Sequence, residues 1–460
     1  MYGGQPQHRI EHNGHTGGVV VVSDATRKPS GAKHDAPELS ARALRYSARA
    51  VLWDLTKITR IKDCGRVPVG TAVSVKFGNG SSGFGCLETC GSVWSCPVCA
   101  AKIRAERAGE IERVMAAHLA TGGTAFFMTM TMRHRRDPAT GLHAPLADCW
   151  DDLAAGWNAA KSGRTFKQGR SLVDLAPRYA ERYAALRAQG VDYLPGAESL
   201  RLLGIARFVE ATYGENGWHL HVHAILFFSG QQDVVSVGNF ARGMFDRWRH
   251  TLVERGRLEP IADRGGLDIR PVYGPEGLAQ YSTKALCEKD SEAIAALAKG
   301  VAREATRADM KHGRRGNRGP WQVIGDFARD GVASDLAVWR EWEAASHGRR
   351  FVVWSRRNPL DPEWNALLDV RGVELTDEEI AAKDQQGSTL GWIDLAGWRR
   401  IRRDCVFLDL LLTAAATGSG DDVRTLLASR DVALLDRPPP QEINSLRHRK
   451  KREEKPAPSQ

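Results

Sequence analysis

The sequence predicts an α+β fold, and two strand-like stretches are the main reason. Residues 124–132, TAFFMTMTM, alternate apolar side chains with threonines, as a half-buried strand does. Residues 202–228 contain two apolar stretches around the turn-rich sequence GENG, which is typical of a hairpin. Because hairpins rather than crossover helices join these strands, we expect an α+β protein and not a doubly wound parallel sheet.

Helical patterns flank the predicted strands. Residues 39–59 have apolar side chains near helical spacing, and a second helix follows the cysteine-rich segment and ends at a glycine pair. Residues 274–290 also read as helical. Thr376 and Glu379 form a capping box, which predicts that another helix begins there.

Basic residues outnumber acidic ones in this chain of 460 residues, 65 to 55, which gives a formal net charge of +10. Nucleic acid is the first partner class that such a balance favours, because phosphates release counterions when they meet lysine and arginine. No stretch reaches the ~20 apolar residues that cross a bilayer, and the N-terminus has no apolar signal core. We therefore expect a cytoplasmic protein whose eight cysteines are reduced.

Five of the cysteines lie close together in the sequence. Cys96 and Cys99 form a C-x-x-C pair in front of a helix, which is a common half of a structural zinc site. Spacing alone leaves open whether Cys64 or Cys86 completes the set with Cys90. The scattered cysteines are interpreted as buried thiols: Cys149, Cys287 and Cys405.

Three histidines alternate along the second strand of the predicted hairpin. His219, His221 and His223 would stand in a row on one face, about 7 Å apart, so that two of them can share one metal ion. Glu210 on the partner strand is placed to be a further ligand, and the set suits Mn²⁺, Mg²⁺ or zinc. The simpler interpretation is a polar strand end whose histidines are hydrogen-bonded.

The histidine strand resembles the histidine–hydrophobic–histidine signature of HUH endonucleases, which nick single-stranded DNA. The sequence NGWHLHVHAILF is similar to the corresponding motif of plasmid rolling-circle replication initiators, and FFMTMTM resembles the family's first motif. The resemblance implies that His221 and His223 are the paired metal ligands and that His219 is accessory. Leu220 stands where many relatives have proline.

The family also needs a tyrosine nucleophile on a nearby helix. AQYSTKAL supplies Tyr281, with Lys284 one turn away to orient the scissile phosphate. Single-tyrosine initiators end the cycle with a carboxylate four residues before the tyrosine. Here that position is Gly277, so the role is carried to Glu276. Tyr273 is either a second nucleophile or, in the simpler interpretation, a loop tyrosine.

The resemblance covers residues 40–355 and implies the rest of the architecture and activity. The implied fold is an antiparallel five-stranded sheet flanked by helices, with a divalent metal between the central strands. The implied activity is nicking at a plasmid origin, a 5′-phosphotyrosyl intermediate and rejoining of the strand. Origin DNA would be the partner, together with a host helicase because the sequence has no ATPase motif. The cysteine segment is similar to that of actinobacterial plasmid initiators, which implies a zinc set: Cys64, Cys90, Cys96 and Cys99.

DNA contacts are predicted in the basic stretch KHGRRGNRGPWQ. Guanidinium groups there suit phosphate, and an adjacent indole can stack on an unpaired base. The residues are Arg314, Arg315, Arg318 and Trp321. The alternative is a solvated loop beside a core tryptophan. Rival functions are an HUH transposase or relaxase, a zinc-containing DNA-binding regulator that does not nick, and a metal-dependent hydrolase of small molecules.

The domain organisation follows from these assignments. We expect five segments: a disordered lead-in at 1–38, a helix and cysteine-rich zinc-binding segment at 39–120, the nuclease domain at 121–358, a helical region of unknown role at 359–436, and a basic disordered tail at 437–460.

Overall fold

The computed structural model describes residues 40–78, 81–173, 175–272, 299, 316–383 and 387–440. Within them the buried side chains form a large first core around a five-stranded sheet and a smaller second core around a three-stranded sheet. The first core contains the predicted histidine strand and five of the cysteines. The second core joins the two ends of the described chain.

The N-terminal part contains helices and a hairpin. Its elements are α1 (Ala41–Leu55), α2 (Thr59–Asp63), β1 (Ala72–Gly78), β2 (Ser81–Gly85) and α3 (Pro97–Ala120). Helix α3 begins directly after the C-x-x-C cysteine Cys96, with Pro97 in its first turn, where the missing amide costs nothing. The predicted helices in this part are present, whereas the β1–β2 hairpin was not predicted.

The next part contains the predicted strands. In chain order it has β3 (Thr124–Thr131), α4 (Leu146–Ala160), α5 (Gly163–Gln168), β4 (Arg170–Ser171), α6 (Pro177–Ala188), β5 (Tyr193–Leu194), β6 (Leu202–Gly214), β7 (Gly217–Phe228), α7 (Val234–Glu254), a 3₁₀ turn (Ala262–Arg264) and β8 (Leu267–Pro271). Strands β6 and β7 are joined by Glu215 and Asn216, and Gly217 closes the turn at φ +86°. A side chain at Gly217 would also collide with His143.

The C-terminal part is mostly helical. It has α8 (Pro320–Asp330), α9 (Ala333–Ser346), β9 (Val352–Trp354), α10 (Pro362–Arg371), α11 (Asp377–Ala382), β10 (Ser388–Asp394), α12 (Leu395–Ile401), α13 (Cys405–Ala416) and α14 (Gly420–Ala428). The predicted capping box is present at the start of α11, where Thr376 and Glu379 each bond the other's backbone amide.

The five-stranded sheet has the order β8-β3-β7-β6-β9, and every neighbouring pair is antiparallel. This confirms the predicted α+β class and the antiparallel five-stranded sheet. Helices α4 and α7 pack together against one side of the sheet, while α3 and α10 contact the strands β3 and β6. Gly204 on β6 leaves the space that Trp364 of α10 fills.

The second core shows that the C-terminal region is not only helical. Strand β10 pairs antiparallel with β1, so the three-stranded sheet has the order β10-β1-β2. Buried Val73, Trp398 and Leu411 contribute to the core beneath it. Residues near both ends of the described chain therefore build one unit, whereas the sequence predicted two separate segments at 39–120 and 359–436.

Within the described residues, we find no helix both long and apolar enough to cross a membrane.

Candidate functional site

The three histidines of β7 lie in a row on one face of the five-stranded sheet. His219, His221 and His223 are half-buried, whereas Leu220 and Val222 between them are almost fully buried on the other face. Side chains of a strand alternate between its two faces, and here one face of the strand packs against helices while the other carries the histidines. The histidine face is therefore partly open to solvent above an otherwise apolar sheet.

Two threonines of β3 hold two of the imidazole rings in place. Thr131 pairs with His221 and Thr129 with His223 across the sheet. The Oγ1 atom of Thr131 lies 3.0 Å from Nδ1 of His221, and that of Thr129 lies 2.9 Å from Nδ1 of His223. Because each Nδ1 is engaged, Nε2 is the nitrogen that faces a ligand or a neighbouring side chain, which is how outer hydrogen bonds orient metal-binding histidines.

A carboxylate from the neighbouring strand completes this group. Glu210 of β6 is the register partner of His221, and its Oε2 lies 3.0 Å from Nε2 of His223. The sequence prediction that Glu210 lies beside the histidines agrees with this placement. Two imidazoles and one carboxylate are ligand types that suit Mn²⁺, Mg²⁺ or zinc.

Burial keeps the imidazoles of His219 and His221 neutral. It lowers the pKa of His219 to about 3, with repulsion from His221 as the next cause. Burial also lowers the pKa of His221 to about 4, with repulsion from His223 second. Both rings are uncharged at pH 7, so that their nitrogen lone pairs are available to a cation.

A fourth histidine belongs to the same row and was missed in the sequence. The ring of His134 stacks on that of His219, with 4.2 Å between centroids, and the rings of His219 and His221 are 4.1 Å apart. Burial lowers the pKa of His134. The sequence could have pointed to His134, because the basic sequence Arg-His-Arg-Arg directly follows the strand that carries the threonines.

Thr129 offers a test of the candidate metal site that needs no DNA. Thr129→Val keeps the side-chain shape but removes the hydroxyl that orients His223, so we expect Mn²⁺ affinity to fall by about 10- to 100-fold. The measurement is the free Mn²⁺ signal in electron paramagnetic resonance during a titration. Thr212→Val, on the same sheet face opposite His219, is the matched control. Equal Mn²⁺ affinity in Thr129→Val and the unmodified protein would contradict this orienting role.

Several predicted residues lie outside the described part of the chain. These are the proposed nucleophile and its helpers, Tyr281, Lys284, Glu276 and Tyr273, the arginines Arg314 and Arg315, and Cys287. Their roles stay predictions.

Arg318 and Trp321 lie in the described chain and have structural contacts. The Arg318 backbone pairs with Tyr213 at the edge of β6. The Arg318 guanidinium lies 2.6 Å from Asp335 and 2.9 Å from Asp326, and hydrogen bonding to Asp335 raises the pKa of Arg318. The half-buried Trp321 ring lies 5.5 Å from that of Trp339. These contacts give Arg318 and Trp321 structural partners in the fold, while the predicted DNA contacts of this stretch stay a prediction.

The structural role of Arg318 leads to a stability prediction. Arg318→Ala leaves Asp335, only 7 % exposed, without its guanidinium partner, so we expect a loss of about 2 kcal/mol of unfolding free energy. Urea unfolding measures this loss. Arg329→Ala is the control because Arg329 pairs with the same Asp326 but is exposed, and its effect should be much smaller. Unchanged stability of Arg318→Ala would contradict this role.

The cysteines form a second candidate metal site. Cys64 follows α2, Cys90 and Cys96 precede α3, and Cys99 lies in its first turn. Their sulfur atoms lie within 4.8 Å of one another, and all four side chains are buried. In the described part of the chain, no other group of three or more histidine, cysteine or acidic residues brings its ligand atoms so close. The set that the resemblance implied is therefore the set that the fold assembles.

The spacing of the sulfur atoms fits zinc. Cys64 and Cys99 are 3.5 Å apart, and the pairs Cys64–Cys96 and Cys90–Cys99 are each 3.7 Å apart. Four sulfurs at the usual Zn–S distance of about 2.3 Å in a tetrahedron are about 3.8 Å apart. The distances are also much longer than the ~2.0 Å of a disulfide bond.

The protonation of the cysteines points the same way. Hydrogen bonding to Cys64 raises the pKa of Cys90 and Cys96 well above the ordinary value and lowers that of Cys99 well below it. All four cysteines can be thiolates together only beside a cation, because each thiolate adds a negative charge to a dry site. The group could therefore hold a structural zinc. Cys86 is not part of it and has a positive φ of 60°.

The chain is similar in sequence to proteins from Streptomyces. The chain is 29% identical over 390 residues to "Protein rep" of Streptomyces lividans, which covers 75% of this chain and 81% of that protein. It is 28% identical over 179 residues to "Neomycin resistance protein" of Streptomyces cyanogenus, which covers 36% of this chain and 38% of that protein. No family model and no solved structure matches. The chain is thus similar over three quarters of its length to a Streptomyces Rep protein.

Proposed function

We propose that this protein is a Rep-type plasmid replication protein that nicks one strand of its origin DNA and later rejoins it. The observation that carries the proposal is the ligand set on one sheet face, His221, His223 and Glu210, with two threonines behind the imidazoles. The similarity to "Protein rep" supports a role in plasmid replication. The net charge of +10 supports a nucleic-acid partner.

The histidine face supplies the metal-binding part of the reaction. His221, His223 and Glu210 would hold Mn²⁺ or Mg²⁺, with His219 as an accessory ligand. A divalent ion held by these residues would polarise a phosphate and would stabilise the charge that develops during its cleavage. The two threonines keep the imidazoles in one orientation, so the ligands need not reorganise when DNA binds.

Tyr281 is the proposed nucleophile. Its phenol oxygen attacks the scissile phosphorus and loses its proton, the bond from phosphorus to the 3′ oxygen breaks, and the 3′ oxygen leaves with a proton. The product is a tyrosine ester of the 5′ phosphate that conserves the energy of the cut bond. Lys284, three residues on, would orient the phosphate or lower the pKa of the phenol.

Rejoining runs the same chemistry in reverse. A free 3′ hydroxyl attacks the phosphotyrosine, the bond from phosphorus to the phenol oxygen breaks, and Tyr281 recovers its proton. Glu276 is the proposed carboxylate that ends the cycle by activating water. The alternative is a second transfer to Tyr273.

The four-cysteine group has a different proposed role. With zinc bound, Cys64, Cys90, Cys96 and Cys99 would tie the end of α2 and the loop before α3 to the first core, as structural zinc sites do. The site is fully buried and has no position open to a substrate. It therefore contributes stability rather than catalysis.

A cleavage assay on labelled single-stranded origin oligonucleotides tests the proposal. With Mn²⁺ or Mg²⁺ added we expect one cut position, and without divalent metal we expect none. The rival is a zinc-containing DNA-binding regulator, for which tight origin binding would occur without cutting under either metal. That outcome, over varied origin sequences, would contradict the proposed nickase. Dependence of replication on a host helicase is a further expectation, because the sequence has no ATPase motif.

A further inference from the structure

Helix α1 buries an arginine against the segment that carries the first cysteine of the four-cysteine group. Arg49 is 5 % exposed, and its Nε atom is buried without a hydrogen-bond partner. A charged side chain is rarely buried this deeply unless an opposite charge compensates for the water that it has lost. In the described part of the chain no carboxylate forms an ion pair with Arg49, so the compensating charge has another source.

The sequence of α1 places this arginine beside two aromatic rings. Tyr46, Arg49 and Trp53 are spaced three and four residues apart, so they share one face of the helix. The guanidinium carbon of Arg49 lies 4.7 Å from the centre of the Tyr46 ring and 5.6 Å from that of the Trp53 ring. The Trp53 indole nitrogen donates to the backbone carbonyl of Cys64 at 2.9 Å. This face of α1 is thus held beside the cysteine that follows α2.

The residue after Cys64 is a glycine whose missing side chain makes room for the guanidinium. A β carbon at Gly65 would lie 2.1 Å from a terminal nitrogen of Arg49 and 2.4 Å from its guanidinium carbon. The backbone at Gly65 also has φ +63°, which glycine adopts at little cost. The positive group therefore lies directly against the chain segment that carries Cys64.

The cysteines supply the negative charge that the buried arginine needs. Burial by itself would lower the pKa of Arg49, but the negative charges around it, that of Cys64 first, raise the pKa overall. These charges include those of Cys96 and Cys99. A second cation acts on the same group: hydrogen bonding to Cys64 is the largest cause that lowers the pKa of Cys99, and the charge of Lys102 on α3 lowers it further.

The charges balance once zinc is counted. Four cysteine thiolates carry a charge of −4, and one Zn²⁺ leaves −2 at a buried site. Arg49 from α1 and Lys102 from α3 bring the total to zero. Without these two cations the site would keep an excess of negative charge away from water, which is costly.

We propose that Arg49 and Lys102 are the counter-cations of the zinc-bound cysteines, and that Arg49 also keeps the buried thiolates unreactive. The inference rests on the proposed zinc site and is independent of the proposed nicking. A neighbouring cation makes a thiolate less basic, and a less basic thiolate is a weaker nucleophile. Arg49 would thus raise the affinity of the cysteines for zinc and lower their reactivity towards electrophiles.

The first test measures the zinc affinity of the full-length protein by competition with a chromophoric chelator. Arg49→Met keeps an unbranched buried side chain but removes the charge, so we expect zinc affinity to fall by about 10- to 100-fold. Arg49→Lys keeps the charge and should retain most of the affinity. Arg104→Met is the matched control, because Arg104 is 6 % exposed and its guanidinium likewise lies over two aromatic rings, those of Trp94 and Phe351.

The second test measures reactivity, which a loss of packing alone would not change. The zinc-loaded protein is treated with excess iodoacetamide: a cysteine sulfur bonds to the acetamide carbon, iodide leaves, and the released zinc is read with the same chelator. We expect zinc release from Arg49→Met to be about 3- to 10-fold faster, since a rise of about one to two pKa units in thiolate basicity gives that factor. Release from Arg104→Met should match that from the unmodified protein.

The outcomes separate charge from packing. Unchanged zinc affinity and release rate in folded Arg49→Met, or equal changes in Arg104→Met, would overturn the inference. An Arg49→Lys variant as weak as Arg49→Met would also overturn it, because the effect would then depend on shape and not on charge. If Arg49→Met does not fold, Lys102→Met at a half-buried position takes its place: a severalfold loss of zinc affinity supports the counter-cation role, and no loss contradicts it.

The same experiments distinguish this inference from the proposals on which it builds. Absence of zinc from the unmodified protein would refute the zinc site and the counter-cations together. Tight zinc binding that ignores the charge at Arg49 would refute the counter-cations alone. Failure of the protein to nick DNA would leave both the zinc site and its counter-cations intact.

Discussion

Cys99→Ser is expected to abolish zinc binding and to unfold the N-terminal part of the protein. Cys99 is 2 % exposed, and its sulfur lies 3.5 Å from that of Cys64 and 3.7 Å from that of Cys90. Its replacement therefore removes a ligand that is close to two others. Zinc bound by four cysteines contributes about 10–16 kcal/mol, which matches or exceeds the whole stability of an ordinary domain. We therefore expect the melting temperature to fall by about 10 °C or more.

The measurement combines elemental analysis with thermal unfolding. The unmodified protein should contain one zinc per chain, and Cys99→Ser should contain none. Cys86→Ser is the matched control, because Cys86 lies in the same loop but outside the four-cysteine group. If Cys99→Ser kept its zinc and melting temperature, or if Cys86→Ser lost them, the assignment of the ligand set would be wrong.

The second large effect is expected from His221→Ala combined with His223→Ala. These substitutions remove the imidazole of His221 that stands opposite Glu210 and the imidazole of His223 that lies 3.0 Å from its carboxylate. Loss of both imidazoles removes most of the ligand set, so we expect metal-dependent cleavage to fall by about 10³-fold or more. DNA affinity should change little, since arginine and lysine contacts to phosphate dominate it.

Cleavage rates over a series of Mn²⁺ concentrations measure this effect, with DNA affinity measured in parallel. His250→Ala is the control, because His250 is exposed on α7 and pairs with the exposed Glu254 in the same helix. Cleavage by the double variant at the unmodified rate would show that the metal, if one is needed, is held elsewhere. A parallel loss of DNA affinity would instead indicate that the sheet face itself had been disturbed.

The histidine site was predictable because its pattern is local. Alternation fixes His219, His221 and His223 on one face, and a short turn at GENG forces β6 to lie beside β7, which brings Glu210 opposite His221. The pairing of the histidines with Thr129 and Thr131 of β3 has no such local signal, because it joins residues about ninety positions apart in the sequence. The threonine strand was predicted, but its hydrogen bonds to the imidazoles were not.

The second core shows where sequence patterns fail. Strands β1 and β10 are separated by three hundred residues, and each is too short to reveal its partner by its own alternation. Their pairing is fixed by the buried surfaces of Val73 and Ile393 rather than by any local signal. The sequence therefore suggested a separate helical region where the fold builds a shared sheet.

The cysteines and Arg318 show the same limit for single residues. Spacing could not choose between Cys64 and Cys86, because the choice depends on where α2 ends relative to α3. Arg318 in a glycine- and arginine-rich stretch looked like a phosphate contact. Its ion pairs with Asp326 and Asp335 come from α8 and α9, whose position only the fold determines.

Peptide mass mapping of a covalent DNA adduct tests the central claim most directly. The protein is incubated with single-stranded origin oligonucleotide and Mn²⁺, digested, and searched for a peptide that carries a 5′-phosphorylated nucleotide. We predict the adduct on Tyr281, its loss in Tyr281→Phe with DNA binding retained, and its persistence in Tyr273→Phe. An adduct on another residue, or cleavage that continues in Tyr281→Phe, would contradict the proposed nucleophile. Tight origin binding with no adduct under either metal would contradict the nickase itself.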